Sequence, residues 1–372
     1  QSLGGMEVGS IWGHGSYVAP DWTADWLHRE LVFILDGWAR DLGHSSYADA
    51  PGEVRAQLRE RITLQTRENS YDAESGTLTI SEARARAFES NLEHYADVFA
   101  RGRDAYAIPR GALTDPARMR ELAAFFFWSS WAAATNRPND TITYTSNWPH
   151  EPLIANVPTG DNIVWTGVSI LVLLAGIGGM AWWFAIRRRE HSTDDVPEND
   201  PLLGAVATPS QVATVKYFWV VSLLILVQML LGVVTAHYGV EGSGFYGIPL
   251  ADYVPYVVTR TWHVQLGIFW IATAWLAAGL YIGPAVGGHE PKYQRLFVNV
   301  LFVALLVIVV GSLAGQWLSV KQKLGQGDAW FYFGHSGYEY IDLGRAFQIL
   351  LLIGLFIWLA LVARTIWPAL AR

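Results

Sequence analysis

Two hydrophobic rhythms divide this chain. From residue 162 onward five apolar runs recur, at about 162–186, 212–237, 257–282, 296–319 and 343–367. Each meets the requirement of about 20 apolar residues for a helix that crosses a bilayer. Before residue 161 the apolar positions instead return every three to four residues, the period of amphipathic helices. Residues 21–43, DWTADWLHRELVFILDGWARDLG, place Trp22, Trp26, Val32/Phe33 and Asp36/Gly37 at successive turns. Residues 51–69 read as an arginine/glutamate helix, and residues 71–80 alternate like a short strand or hairpin arm turning at Gly76. Ser81 caps a further helix to about Arg101, and Thr114, with Pro116 near the first turn, caps another over 114–137. Residues 1–20 are glycine-rich and predict a loop, with the compact cluster Gly13-His14-Gly15-Ser16-Tyr17. Residues 144–161, YTSNWPHEPLIANVPTGD, read as an aromatic and proline-rich linker into the first span. The pattern predicts an all-α membrane protein, with a helical extramembrane domain over 1–161 and a transmembrane region over 162–372.

Composition sharpens this division. Only 16% of the 372 residues are charged, well below the roughly 25% of soluble domains. Residues 1–161 hold 22 acidic side chains against 14 arginines and no lysine, whereas the remainder is nearly neutral. An acidic, water-facing region therefore precedes the membrane region, and the lack of a strong basic patch excludes nucleic acid as a partner. Arg187-Arg188-Arg189, Lys216, Lys292, Arg295, Arg364 and Arg372 flank the spans on one side, which the distribution of Lys and Arg assigns to the cytoplasm. Arg260, Lys321, Lys323 and Arg345 fall on the other side, so the bias is incomplete. The N-terminal domain and the loops 238–256 and 320–342 then share the outer face. Such a domain calls for an export signal or anchor helix upstream of Gln1, and further sequence is expected after Arg372.

The chain has no cysteine, which excludes disulfides, iron–sulfur clusters, thiolate catalysis and covalently attached c-type haem. Histidine and carboxylate remain as metal ligands. His263 lies about two turns inside the third span, roughly 9 Å from its start. Gly267, one turn deeper on the same face, clears a side chain where a flat ring needs room, and Arg260, one turn above, can pair with an acid at the interface. An axial imidazole on haem iron accounts for all three; a histidine bonded to a neighbouring helix accounts for His263 alone. His237 and Glu241 share a face if the second span continues through Gly239, and there they suit the head group of a quinol. A helix-end cation and a solvated loop acid are the plainer reading of that pair. A third reading has His237 and His263 ligating one haem together. In GHSGYEYIDLGR before the fifth span, Glu339 and Asp342 face the same outer layer as Gly15 and Tyr17, and oxygen ligands of this kind suit Ca²⁺.

The runs GHGSYVAPDW, NWPHEPLIAN, TPSQ with ATVKYF, TAHYGVEGSGFYGI, RTWHVQLGIFWIATAWLAAGLYI and GYEYIDLGR resemble the quinol-dependent nitric oxide reductases. These are single-chain members of the haem–copper oxidase superfamily. The resemblance spans nearly the whole chain and covers about the first half of such an enzyme, without its first anchor helix. It implies a cytochrome-c-like outer domain without haem c, joined to a five-helix portion of a haem–copper-oxidase-like bundle in a bacterial inner membrane. It implies His263 as one axial ligand of low-spin haem b, beside which Arg260 is spaced to meet a haem propionate, and His237 with Glu241 at the quinol. It further implies a calcium site made by the Gly15 carbonyl and Tyr17 with either Glu339 or Asp342.

In this family nitric oxide is reduced to nitrous oxide at haem b3 beside a non-haem iron. The histidines for that centre come from later helices, so no catalytic residue of the centre is expected in this portion. The expected partners are a membrane quinol, nitric oxide and the lipid bilayer, with a homodimer as the candidate assembly. The rival readings are a truncated, non-catalytic haem-binding or scaffold protein, and a transporter. A transporter usually shows broken helices or polar groups at mid-membrane.

Overall fold

The computed structural model describes residues 3–16, 18–190, 204–242, 244, 247–325, 327–334 and 343–370. In chain order it contains α1 (Gly5–Val8), the hairpin β1 (Ser10–Ile11) and β2 (His14–Gly15), α2 (Trp22–Asp41) and α3 (Gly52–Arg67). The hairpin β3 (Tyr71–Asp72) and β4 (Thr77–Leu78) follows, then α4 (Glu82–Arg101) and α5 (Pro116–Ala134). The apolar half holds α6 (Gly160–Glu190), α7 (Pro209–Glu241), the short α8 (Leu250–Tyr253), α9 (Tyr256–Gly287), α10 (Gln294–Val320), α11 (Asp328–Phe333) and α12 (Arg345–Leu370). The two hairpins are two-stranded and minor. The protein is an all-α membrane protein, with five helices among the described residues long and apolar enough to cross a bilayer.

Contacts group the chain into two compact units. One comprises Thr23–Asn91 and Ala124–Val206. Its core is built from Leu27, Leu31, Leu35 and Trp38 of α2, Leu58 and Ile62 of α3, Ala87 of α4, Ala134 of α5, and Ile154. Glu30 and Arg84 are paired inside it, both nearly inaccessible, and Trp26 Nε1 donates to the second carboxylate oxygen of Glu30. Removing one partner would leave a buried charge uncompensated, so both residues belong to the core. α6 is apolar on every side and none of its spanning window is buried, the composition of a helix solvated by lipid.

The segment 144–161 is a linker whose course is fixed by hydrogen bonds. Ile154 and Asn156 are fully buried. Arg67 at the end of α3 donates to the side-chain oxygens of Asn136, Asn147 and Asn156, at 3.4, 3.2 and 2.8 Å. Asn156 Nδ2 donates to the carbonyls of Ala133 and Pro149. Irregular backbone can be buried here because side-chain amides and one guanidinium satisfy its polar groups. Arg67→Ala is therefore expected to destabilise this unit by about 2–4 kcal/mol, since up to three part-buried acceptors lose their donor. A lowered thermal unfolding transition would report it, and an unchanged transition would show that water replaces the guanidinium freely.

The other unit comprises Gln1–Trp22, Leu92–Ala123 and Ala207–Arg372. Four of the spanning helices pack here, with α7 lying most extensively against α9, and α12 against α9 and α10. Tyr217, Leu266, Phe269, Leu280, Val298, Leu305, Ile308 and Leu361 form their shared core. Hydrogen bonds across helices supplement apolar packing, as they do where lipid offers no competing partners. Tyr217 donates to the Val298 carbonyl at 2.7 Å, Gln294 Nε2 to the Leu361 carbonyl, and Trp358 Nε1 to the Leu276 carbonyl.

In the same unit residues 3–16 hold α1 and the β1–β2 hairpin, where the sequence predicts a loop. Asp21 Oδ2 accepts from Ser10 Oγ at 2.7 Å and from the Gly13 amide at 2.9 Å, which closes the β1–β2 turn. Gly15 has φ 132, and a Cβ there would lie 2.5 Å from the Gly9 carbonyl and 2.7 Å from that of Met6. Only glycine fits both the dihedral and the space. Trp22, 2% exposed, sits among Tyr95, Phe99 and Tyr106 and donates to the Gly5 carbonyl. One cap also differs from expectation. Asp115, and not Thr114, caps α5, accepting from the amides of Ala117 and Arg118. Pro116 is then the first helical residue, where its missing N–H costs nothing.

Candidate functional site

The site is built on α7 and α9. α7 starts in a capping box, with Thr208 and Gln211 bonding each other's backbone, and runs unbroken for 33 residues. That is about 50 Å at 1.5 Å per residue, against a hydrocarbon core of about 30 Å. Its last turns therefore reach the interface. Gly239 does not unwind the helix, so His237 and Glu241 do share a face. Nδ1 of His237 and Oε1 of Glu241 lie 3.4 Å apart, with side chains 27% and 32% exposed. An imidazole and a carboxylate thus stand together, partly dehydrated, at the end of a membrane helix. Beyond Glu241 the chain turns at Gly242 against Asp104. A polar cleft of about 370 Å³ opens there, lined by Asp104, Arg110, Gly244 and Asp252 among others.

His263 lies deeper, on the side of α9 that meets α7. Its Nδ1 is 2.8 Å from the carbonyl oxygen of Gln228. A carbonyl only accepts, so Nδ1 carries the proton and the lone pair resides on Nε2. This is the arrangement that metal-ligating histidines adopt, with the second ring nitrogen anchored to an oxygen. Gly232 makes room for the ring, since a Cβ there would come within 2.9 Å of Cε1. A haem b ligand is therefore compatible with the donor set this helix pair presents.

A Cβ at Gly267 would lie 2.9 Å from Nε2 of Gln228, so the glycine leaves room for that amide. Oε1 of the same amide accepts from Trp270 Nε1 at 2.8 Å. Gln228 thus touches His263 with its backbone and Gly267 and Trp270 with its side chain. Sequence reading overlooked it, although an amide alone between Ser222 and Thr235 in an apolar span was the available signal.

The two histidines are not brought to one level. His263 packs at residues 228–232 of α7, whereas His237 lies five residues beyond Gly232, about 7 Å further along the axis. Shared ligation of one haem finds no support in this arrangement. Arg260 is partly buried on α9, one turn above His263, and forms no ion pair among the described residues. α7, α9 and α10 run without a break, unlike the broken helices that a transporter usually shows.

A second overlooked residue is Glu7. It is 5% exposed, and its Oε1 accepts from Oγ1 of Thr261 at 2.6 Å. Of the expected calcium ligands, Gly15 lies in β2, while Tyr17, Glu339 and Asp342 fall outside the described residues. Among the described residues no three acidic or histidine side chains gather as a metal would need.

Comparison with known families gives two matches. Residues 1–150 match the model of the cytochrome c-like domain of NorB nitric oxide reductase. Residues 212–372 match the model of cytochrome c and quinol oxidase polypeptide I. No curated protein matches the chain.

Proposed function

We propose, from its likeness to the cytochrome c-like domain of NorB nitric oxide reductase over residues 1–150 and to cytochrome c and quinol oxidase polypeptide I over residues 212–372, that the chain is the electron-entry portion of a quinol-dependent nitric oxide reductase. Membrane quinol gives up two electrons and two protons at the outer end of α7. Two nitric oxide molecules take up the two electrons, together with two protons drawn from water, to form nitrous oxide and water. The observation that carries the reading is the His237–Glu241 pair, held on one face of an uninterrupted helix where it leaves the bilayer.

Each residue has a role set by its chemistry. His237 accepts a hydrogen bond from one quinol hydroxyl, and Glu241 beside it takes up the proton that this hydroxyl releases. The polar cleft beside Gly242 offers those protons an aqueous way out on the outer face. His263 would hold haem b through Nε2, with Gln228 and Gly232 fixing the ring, and Arg260 would pair with a propionate. Bound there, the haem supplies a one-electron relay. Gly15 and Tyr17, with Glu339 or Asp342, are the proposed calcium ligands. The catalytic haem b3 and non-haem iron are assigned to other helices. The membrane is the bacterial inner membrane with residues 1–161 outside, which the inner-end cluster of Lys216, Lys292, Arg295 and Arg364 supports.

The test is consumption of nitric oxide by the holoenzyme driven by a short-chain quinol, with one nitrous oxide formed for every two nitric oxide molecules. Consumption with an artificial electron donor but none with any quinol would remove the quinol assignment.

A further inference from the structure

The end of the bundle opposite the His237–Glu241 pair has no part in quinol oxidation as proposed, yet it holds two cations side by side. Lys216 lies twenty-one residues before His237 on α7, about 32 Å along the axis at 1.5 Å per residue. The hydrocarbon core of a bilayer is about 30 Å thick. With His237 where α7 leaves one face of the membrane, Lys216 stands at the head-group level of the other. Trp219, 73% exposed, is one turn further in, where aromatic side chains mark the border between head groups and acyl chains.

The ammonium is held in place across a helix pair. Nζ of Lys216 donates to Oδ1 of Asn299 and lies 4.4 Å from the centre of the Phe302 ring, both on α10. Tyr217 bonds the Val298 carbonyl beside it, so α7 and α10 are joined at this level. An amide oxygen and a ring face orient an ammonium, but neither brings the negative charge that would neutralise it. Arg295, exposed and one turn nearer the start of α10 than Asn299, stands near enough for the two cations to repel each other. Among the described residues neither Lys216 nor Arg295 has a carboxylate partner. Deeper along the same helix faces come Leu223, seven residues after Lys216, and Val303 and Val307, four and eight after Asn299. All three are exposed and apolar, a surface for acyl chains below a charged head.

We infer that Lys216 and Arg295, with Asn299, form a binding site between α7 and α10 for the phosphate head group of an anionic phospholipid. Basic pockets between spanning helices take such head groups, because a phosphate offers charge and several acceptor oxygens at once. A guanidinium pairs two of those oxygens, and an ammonium adds a point charge. The site rests on α7 and α10 crossing a bilayer, and on neither the quinol nor the haem assignment.

The experiment is calorimetric titration of the detergent-purified holoenzyme with short-chain phosphatidylglycerol, short-chain phosphatidylcholine and inorganic phosphate. Phosphatidylglycerol is expected to bind about tenfold or more tighter than either of the others, since each basic residue adds to the hold on an anionic head. Lys216→Gln and Arg295→Gln should each weaken it about fivefold, whereas Lys323→Gln, just past the far end of α10, should leave it unchanged. Lys216→Gln also alters the bond to Asn299. If that variant fails to fold, Arg295→Gln carries the test, because Arg295 forms no hydrogen bond among the described residues. Equal binding of the two lipids overturns the inference, since apolar contact alone would account for it. Phosphate bound as tightly as phosphatidylglycerol assigns the site to a free anion and overturns it too. Unchanged affinity in Arg295→Gln does the same, and so does an equal loss in Lys323→Gln, which marks net charge and not a site.

Discussion

His263→Ala is expected to abolish the low-spin haem b absorption of the holoenzyme. The expectation follows from the ring's tautomer. With Nδ1–H committed to the Gln228 carbonyl at 2.8 Å, Nε2 is the ligating atom, and no other histidine of the described residues in α7 or α9 is at that depth. Gly232→Ala is the graded companion. Its methyl would come within 2.9 Å of Cε1, so the ring must shift or tilt away from its carbonyl anchor. Overpacking of this kind costs about 1–3 kcal/mol, and haem content should fall in part, with the residual spectrum shifted. Full absorption in His263→Ala would move the ligand to another residue. Normal absorption in Gly232→Ala would show that the helices separate enough to absorb one methyl.

Glu241→Gln and His237→Ala are expected to slow turnover with quinol by about 100-fold or more, the usual worth of a positioned proton acceptor. Turnover with a donor that reduces the haem directly should be spared. The pair stands 3.4 Å apart on a helix that is continuous through Gly239, so neither variant removes a contact on which α7 depends for its course. The split between donors is therefore diagnostic. Equal loss with both would mean that the substitutions disturb the helix end or a later step, and would refute a quinol role. A change in KM for quinol without a change in kcat would reduce the pair to a binding contact.

Much of the architecture follows from patterns that need no tertiary partner. Five runs of twenty or more apolar residues can only be satisfied as helices in lipid, because every backbone group must be bonded within its own segment. The amphipathic period of α2 and α4 and the Gly76 hairpin follow from equally local rules, and their positions agree with the structure. Local rules fail where distant atoms supply the partners. The start of the chain reads as loop from its glycines, yet those glycines are required by carbonyls packed against Gly15 and by the Trp22 ring. Residues 144–161 carry no period at all, yet Arg67, sixty-nine or more positions away from its partners, orders them. Gln228 and Glu7 carried legible signals, an amide in an apolar span and an acid in a glycine-rich run. What they touch was not legible.

By itself, the sequence determined that this is an all-α membrane protein with an acidic N-terminal portion, and which histidines and carboxylates lie near the ends of its apolar spans. Length, apolarity and charge are properties of a segment, and a segment carries them wherever it goes. Only the tertiary structure decided how those groups are used. It carried α7 on past Gly239 so that His237 meets Glu241, and it set His263 a full turn or more deeper with its Nδ1 committed to Gln228. It also drew Glu7 under Thr261. Tautomer, depth and burial depend on which atoms of other helices come within about 3 Å, and no pattern along the chain records that.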